Sequence, residues 1–224
     1  MSKSVLNLKI INELSYINAE NNNKKLQTSI LDLIFSFKFC HRITCSSCNC
    51  KSDTIADMNT LPVDVENTKK VEIGMSKFFG EEILEGINAY ECLMCQKKTR
   101  ATTKLSILTE PNILVIHLKR FNNSNLDKLS HYVSYPETLS LKPFLGEPSV
   151  LQQQQQNPTE NEAHDNFNRN TKALRYVFYK LYGVLVHLGD TSHSGHYYSY
   201  VRGRGDVWYK ADDLQVNSLF FVLF

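Results

Sequence analysis

The apolar positions of this chain change period along its length. Residues 28–37, TSILDLIFSF, place Ile30, Leu31, Ile34 and Phe35 at helical spacing, with Thr28 or Ser29 where an N-cap belongs. Before it, residues 1–27 are polar and Asn-rich around NAENNNKKLQ, which predicts a helix end and a loop. After it the strand period dominates. Leu61, Val63 and Val65 alternate as a half-buried strand does, and RATTKLSILTEP and NILVIHLKRF read as two strands, the second carrying Ile113, Val115 and Leu118. VEIGMSKFFGEEIL reads as a short helix with a glycine break, and YVSYPETLSL as a short extended stretch. Residues 151–170, LQQQQQNPTENEAHDNFNRN, are Gln/Asn-rich and too poor in apolar residues to bury a core. With strand patterns on both sides they are expected to be a disordered insertion. The last part reads strand, loop, strand, turn, strand: YVFYKLYGVLVHLGD, GHYYSYVRG and DVWYKADD, with GRGD as the turn between the last two.

Composition narrows the class. The chain has 224 residues, 42% hydrophobic and 21% charged, with a formal net charge of +2. That balance gives no pull toward nucleic acid or an anionic membrane. No apolar run approaches the roughly 20 residues of a membrane span. MSKSVLNLKIINELSY lacks the apolar core and cleavage site of a secretory signal, so a reducing compartment, cytoplasm or nucleus, is expected.

In such a compartment the six cysteines are thiols or metal ligands. Cys45 and Cys48 form one C-x-x-C pair and Cys92 and Cys95 another. Two such turns complete a tetrahedral Cys₄ zinc site, although the interval is longer than in a compact zinc ribbon and free thiols are the alternative. Cys50 competes with Cys48, but the spacing favours Cys48. Cys40 and His41 sit side by side as a nucleophile and base would. Neighbours on a strand point to opposite faces, which argues against that use.

The stretch SHSGHYYSYV carries the other candidate chemistry. His196 follows Gly195 and opens a strand, while Asp212 and Asp213 close the next one. Counted from the turn, His196 and Asp212 are roughly cross-strand partners. A carboxylate there can accept the imidazole Nδ1–H and orient a general base. A surface Asp pair capping a hairpin near a core histidine fits the same spacing. His117 reads as a satisfied sheet histidine, His193 as a loop residue, and Lys119 and Arg120 as solvated charges at a strand end.

Taken together, YKLYGVLVHLGDTSHSGHYYSYVRGRGDVWYKADD resembles the histidine box of the ubiquitin-specific proteases, papain-like cysteine deubiquitinases. NILVIHLKRF is similar to that family's second signature strand, and the two C-x-x-C pairs fall where its zinc-bearing fingers fall. The likeness spans residues 28–148 and 174–213. It implies an α+β papain-like fold with an antiparallel palm sheet and zinc-bearing fingers. The fingers would occupy about 40–105 and the palm about 106–150 and 172–224, in a partial catalytic domain over 28–224. It implies one structural zinc ion on Cys45, Cys48, Cys92 and Cys95. His196 takes the place of the catalytic base, Asp212 of its orienter and Asp213 of the second acidic position. Tyr197, Trp208 and Gly195 would line the cleft for the thin C-terminal tail of ubiquitin, whose isopeptide bond the family hydrolyses. The family's Gly-x-x-x-Cys nucleophile box, with its Asn, and the acidic segment after it have no counterpart among these residues. The helical thumb is therefore expected to be largely missing. SLFFVLF reads as an apolar tail, either a substitute for the family's further strand or a read-through artefact. The expectation is an incomplete copy of the enzyme or a degenerate member, inactive alone, partnered by ubiquitin and ubiquitinated proteins. A non-catalytic zinc-containing ubiquitin-binding module is the alternative. A zinc-ribbon nucleic-acid binder is disfavoured by the charge.

Overall fold

The computed structural model describes the backbone of residues 4–12, together with residues 29–121, 128–147, 177–191 and 193–219. The expected insertion at 151–170 lies outside the described residues. Helix α1 is Ile30–Phe35, as its apolar spacing predicts. Ser29 caps it with a capping box: the Ser29 hydroxyl accepts from the Asp32 amide, and the Asp32 carboxylate accepts from the Ser29 amide.

The strands, in chain order, are β1 Ser4–Asn12, β2 Phe37–Cys45, β3 Lys51–Met58, β4 Leu61–Asp64, β5 Glu81–Leu84, β6 Tyr90–Cys92, β7 Lys97–Thr99 and β8 Ala101–Ile107, then β9 Ile113–Lys119, β10 Thr138–Ser140, β11 Phe178–Leu188, β12 His196–Arg202, β13 Trp208–Asp212 and β14 Gln215–Leu219. They assemble into two sheets and a hairpin. The eight-stranded sheet runs β14-β13-β12-β11-β1-β9-β4, with β10 also on β11, and is antiparallel except where β4 joins β9. The four-stranded sheet runs β3-β2-β8-β5, and β6-β7 is the hairpin.

Ser4–Asn12 corrects the reading of residues 1–27 as helix end and loop: it pairs with both β11 and β9 near the middle of the large sheet. The Asn-rich composition of the whole segment masks the local run Val5, Leu6, Leu8, Ile10 and Ile11, whose β-branched and aliphatic residues suit a paired strand. A second correction concerns VEIGMSKFFGEEIL. Helix α2 covers only Val71–Phe78, and after Gly80 the chain turns into β5. Gly74 has a packing reason: a Cβ there would stand 2.5 Å from Val63 Cγ1, so its absence lets α2 lie directly on β4.

The core sits on the large sheet. Leu114, Ile116 and Leu118 of β9 are wholly buried beside Leu61 and Val63 of β4, Leu181, Val184 and Val186 of β11, and Met75 of α2. The buried phase of β9 is thus 114-116-118, with His117 outward and exposed. Arg120, expected as a solvated charge, is only 3% exposed. Its Nη1 donates to the carbonyls of Leu129 and His131 at 2.9 and 2.8 Å, tying the chain after β9 to the next segment. Burial pulls the Arg120 pKa down.

Tyr179 of β11 is fully buried, and its hydroxyl donates to the Pro111 carbonyl at 2.6 Å. Tyr179→Phe keeps the ring but leaves that carbonyl unpaired, so it should lower stability by about 1–3 kcal/mol, read from urea unfolding of otherwise intact, metal-loaded protein. An unchanged midpoint would show that the bond contributes nothing net.

Candidate active site and metal centre

Two turns bring four sulfurs together. β2 ends on Cys45 and β6 on Cys92, so each first cysteine closes a strand and each second one lies in the following turn. The turns are built alike. The Asn49 amide donates to the Cys45 carbonyl at 2.9 Å, and the Gln96 amide to the Cys92 carbonyl at 2.8 Å. Asn49 and Gln96, each directly after the second cysteine of its pair, adopt φ of 58° and 53°. That left-handed residue turns the chain back and leaves both thiols facing inward.

The four Sγ atoms lie within 4.8 Å of one another, with Cys45–Cys95 at 3.8 Å and Cys48–Cys92 at 3.7 Å. A tetrahedron with metal–sulfur bonds of about 2.3 Å has edges of about 3.8 Å, so the four cysteines are positioned to bind one metal ion. The Thr99 hydroxyl, 3.2 Å from Cys45 Sγ, pulls that thiol down to about 6, while the neighbouring Cys48, then burial, push Cys95 up to about 12. Clustered thiols cannot all ionise unless a cation shares the site. Cys50 is exposed beside the first turn and outside the cluster.

The remaining cysteine is not a nucleophile. Cys40 is 2% exposed, packed with Leu108 and Ile55, and burial, with Asp53 second, pushes its thiol up to about 11. His41 turns instead to the Thr103 hydroxyl, and Arg42 forks onto Asp53 with two bonds of 2.7 Å.

The second constellation lies on the β11-β12-β13 part of the large sheet. β12 pairs with β13 through Ser199↔Ala211, Tyr200↔Lys210 and Arg202↔Trp208. Continued one step, that ladder sets Asp212 opposite Tyr198, so His196 meets Asp212 diagonally, not face on. The side chains touch all the same: His196 Nε2 hydrogen-bonds Asp212 Oδ1. The nitrogen involved is Nε2, where the sequence reading named Nδ1. The diagonal offset brings the tip of the ring to the carboxylate and leaves Nδ1 for another partner. Asp213 heads the turn into β14 with φ of 50° and is exposed. Its carboxylate, that of Asp212 and the imidazole have nitrogen and oxygen atoms within 4.8 Å of one another.

Lys210, which sequence reasoning passed over, places Nζ 2.7 Å from Asp212 Oδ2. First Lys210 and then His196 hold the Asp212 carboxyl below the usual carboxylate range. A depressed acid contributes its contact above the ordinary carboxylate pKa and loses it only as pH falls through the lower folded value, so the pair enters neutral pH with Asp212 ionised.

Gly195 has a concrete role. A Cβ there would stand 2.1 Å from His187 Nε2 and 2.3 Å from the Leu188 carbonyl. His187 is 4% exposed, stacks on Tyr197 with centroids 4.6 Å apart, and keeps Nδ1 without a hydrogen-bond partner among the described residues. The loop before His196 therefore rests directly on a buried imidazole. Its signal in the sequence was the histidine of GVLVH, eight residues before Gly195. Tyr197 is 55% exposed. Trp208, expected on the cleft wall, is 7% exposed, packs into the main core, and has the Arg202 guanidinium over its ring at 5.1 Å. Two residues before Lys210 and four before Asp212, it shares their face of β13, at the buried end of that row. His193 is exposed in the preceding loop.

A sheet of this topology, a four-cysteine turn pair and a His–Asp pair on adjacent strands together define a papain-like cysteine-peptidase fold of the ubiquitin-specific protease type. The family model for ubiquitin carboxyl-terminal hydrolase matches residues 4–220, and the chain belongs to that family. It is 32% identical over 191 residues to human ubiquitin carboxyl-terminal hydrolase 17-like protein 12, covering 85% of this chain and 32% of that protein. With mouse 17-like protein C the identity is 37% over 185 residues, covering 83% of this chain and 30% of that protein. The chain thus spans about a third of the length of the curated relatives it matches. Among solved structures, the SAGA Ubp8/Sgf11/Sus1/Sgf73 deubiquitinating module bound to ubiquitin aldehyde superposes with a TM-score of 0.69 at 25% identity, over 88% of this chain and 40% of that one.

Gly195→Ala forces a methyl group into His187 and the Leu188 carbonyl. It should cost about 1–3 kcal/mol, the range of an overpacked interior, and displace the His196 imidazole signal in NMR spectra. A spectrum and melting curve matching the parent protein would contradict the close approach.

Proposed function

We propose that these residues form the palm and fingers of a thiol-dependent deubiquitinase acting on the bond after the C-terminal glycine of ubiquitin. In this reading His196 is the general base, Asp212 its orienter, and Asp213 an accessory acid on the nucleophile side. The observation that carries the proposal is the His196–Asp212 hydrogen bond beside a loop pinned by Gly195, in a chain that belongs to this family. An ionised Asp212 makes His196 donate Nε2–H, which leaves the Nδ1 lone pair to take a proton from a thiol. Gly195 and the exposed Tyr197 would line the approach, where a glycine tail passes and bulkier side chains do not. Four sulfurs at the edge length of a zinc tetrahedron support one structural zinc ion, which would tie the two finger turns together and supply no catalytic step.

The expected limits, fingers about 40–105 and palm about 106–150 and 172–224, are adjusted by assigning Ser4–Asn12 and the β4–α2 unit, Leu61–Phe78, to the palm, since both belong to the large sheet or pack on it. Cytoplasm or nucleus is the expected compartment, on the reduced-thiol argument. Among the described residues no helix is long and apolar enough to cross a membrane.

Four of the six cysteines converge on one point, Cys40 is buried in the four-stranded sheet and Cys50 stands beside a turn. These 224 residues therefore offer His196 no thiolate. Base help from imidazole alone is worth about 10²–10⁴-fold, far below the roughly 10⁶-fold or more of an enzyme. The expected result with a fluorogenic ubiquitin C-terminal amide is silence from the chain alone, with measurable ubiquitin binding. His196-dependent turnover should appear once a Cys-box segment of a related enzyme is added. Turnover by the chain alone that survives His196→Ala would sink this assignment. Binding with no turnover under any combination would favour the ubiquitin-binding module. Metal analysis is the separate check on the fingers: about one zinc per chain, lost in Cys92→Ser. Freshly purified, reduced protein that carries none would overturn the zinc assignment.

A further inference from the structure

One face of the β12–β13 pair presents a row of side chains at the strand period: His196, Tyr198 and Tyr200 on β12, and Lys210 and Asp212 on β13. The proposed reaction uses the first and the last. We propose that Lys210 is a positioning residue for this pair: by holding Oδ2 of Asp212 it keeps Oδ1 aimed at His196, and its charge offsets the carboxylate felt by the imidazole. The inference rests on the reading of His196 as the base.

Two restraints fix the ammonium. Nζ lies 2.7 Å from Asp212 Oδ2 and 4.5 Å above the centre of the Tyr198 ring, where the π face attracts a cation. Tyr198 is itself braced edge-on by Tyr200, with ring centres 5.4 Å apart and planes at 89°. The brace, the cation and the carboxylate therefore form a chain ending at the imidazole. A carboxylate gripped at one oxygen only can rotate about its Cβ–Cγ bond. Gripped at both, it presents a fixed acceptor to His196 Nε2–H.

The charge matters as much as the grip. A base must be neutral to accept a proton, and the carboxylates of Asp212 and Asp213 cluster with the imidazole. Lys210 sets a positive charge against the first of them. The other titratable groups near the ring are Tyr198 on its own strand, His193 in the loop before it, and His187 on β11, whose ring stacks on Tyr197. Tyr198 loses the cation over its ring in Lys210→Met and Lys210→Gln and keeps one in Lys210→Arg, so the arginine variant separates the effect of the charge from that of the lysine side chain.

The test follows the His196 ring signal by NMR as pH is varied, with the signal assigned by its loss in His196→Gln. Lys210→Met should raise the titration midpoint by about half a pH unit, Lys210→Gln should shift it in the same direction, and Lys210→Arg should restore the parent value. Asp212→Asn should lower it. An unchanged midpoint in Lys210→Met, with Asp212→Asn still effective, would leave the His–Asp pair standing and overturn the role of Lys210. Loss of folding in both Lys210→Met and Lys210→Gln would assign the residue to the framework and overturn it equally. The measurement needs neither ubiquitin nor a thiol. A shifted midpoint without any ubiquitin binding would count against the deubiquitinase reading and not against this one.

Discussion

The register between β11 and β12 is the constraint on which the candidate site depends. Leu188 pairs with His196 and His187 with Tyr197, which sets the two strands so that Gly195 arrives against the His187 ring. A slip of one residue would move every β12 side chain to the other face. His196 would then meet the buried His187 face, and Tyr197 would meet Asp212. The slip is opposed from both sides. Val184 and Val186 of β11 are locked in the core, and Trp208 of β13 is buried opposite Arg202. The site is thus an outcome of how the apolar faces of three strands pack, and no loop has to find its place independently.

The same economy explains the long interval between the two cysteine pairs. A compact zinc ribbon returns quickly from one turn to the other. Here the chain leaves the first turn along β3, crosses to the large sheet as β4, packs α2 over it, and only then returns through β5 to β6. A metal ion joining the turns would close a loop that contains an edge strand of the other sheet. Closing such a loop constrains the unfolded chain more than closing a short one, though only slowly with length. It also couples the fingers to the palm: Val63 and Met75, wholly buried on the large sheet, lie within that loop. Metal loss would therefore be felt beyond the fingers.

Much of this was legible from residue pattern alone. The α1 cap, the β4 alternation, the GRGD turn and the pairing of Cys45, Cys48, Cys92 and Cys95 each rest on local chemistry that spacing reports directly. What escaped was set by tertiary neighbours. β3 and β5 are exposed on many positions and carry charges, so no alternation marks them. Ser4–Asn12 is concealed by its polar surroundings. Arg120 looks like a strand-end charge until the carbonyls of Leu129 and His131 fold back over it. Trp208 lies on the same face of β13 as Lys210 and Asp212, and only the core packed over its end of that row makes it a buried residue where the other two are half-buried. The choice between the ring nitrogens of His196 depends on a diagonal offset that a count from the turn does not resolve.

That choice has a consequence for the chemistry. With Nε2 committed to Asp212, the proton acceptor in the proposed reaction would be Nδ1, at the opposite edge of the ring from the β13 carboxylate. A thiol reacting through His196 would have to approach that edge, and the four clustered cysteines lie elsewhere, at the end of β2, at the end of β6 in the hairpin and in the turns that follow them. Asp213, exposed at the head of the turn, completes a cluster with the His196 ring and the Asp212 carboxylate. In the proposed reading the hairpin would supply the base and its orienter and leave the Nδ1 edge of the ring to a nucleophile. The same division explains why the pair can be fully formed in these residues without a thiolate beside it: its geometry is fixed by β11, β12 and β13 and by Lys210, and none of those contacts requires the nucleophile to be in place.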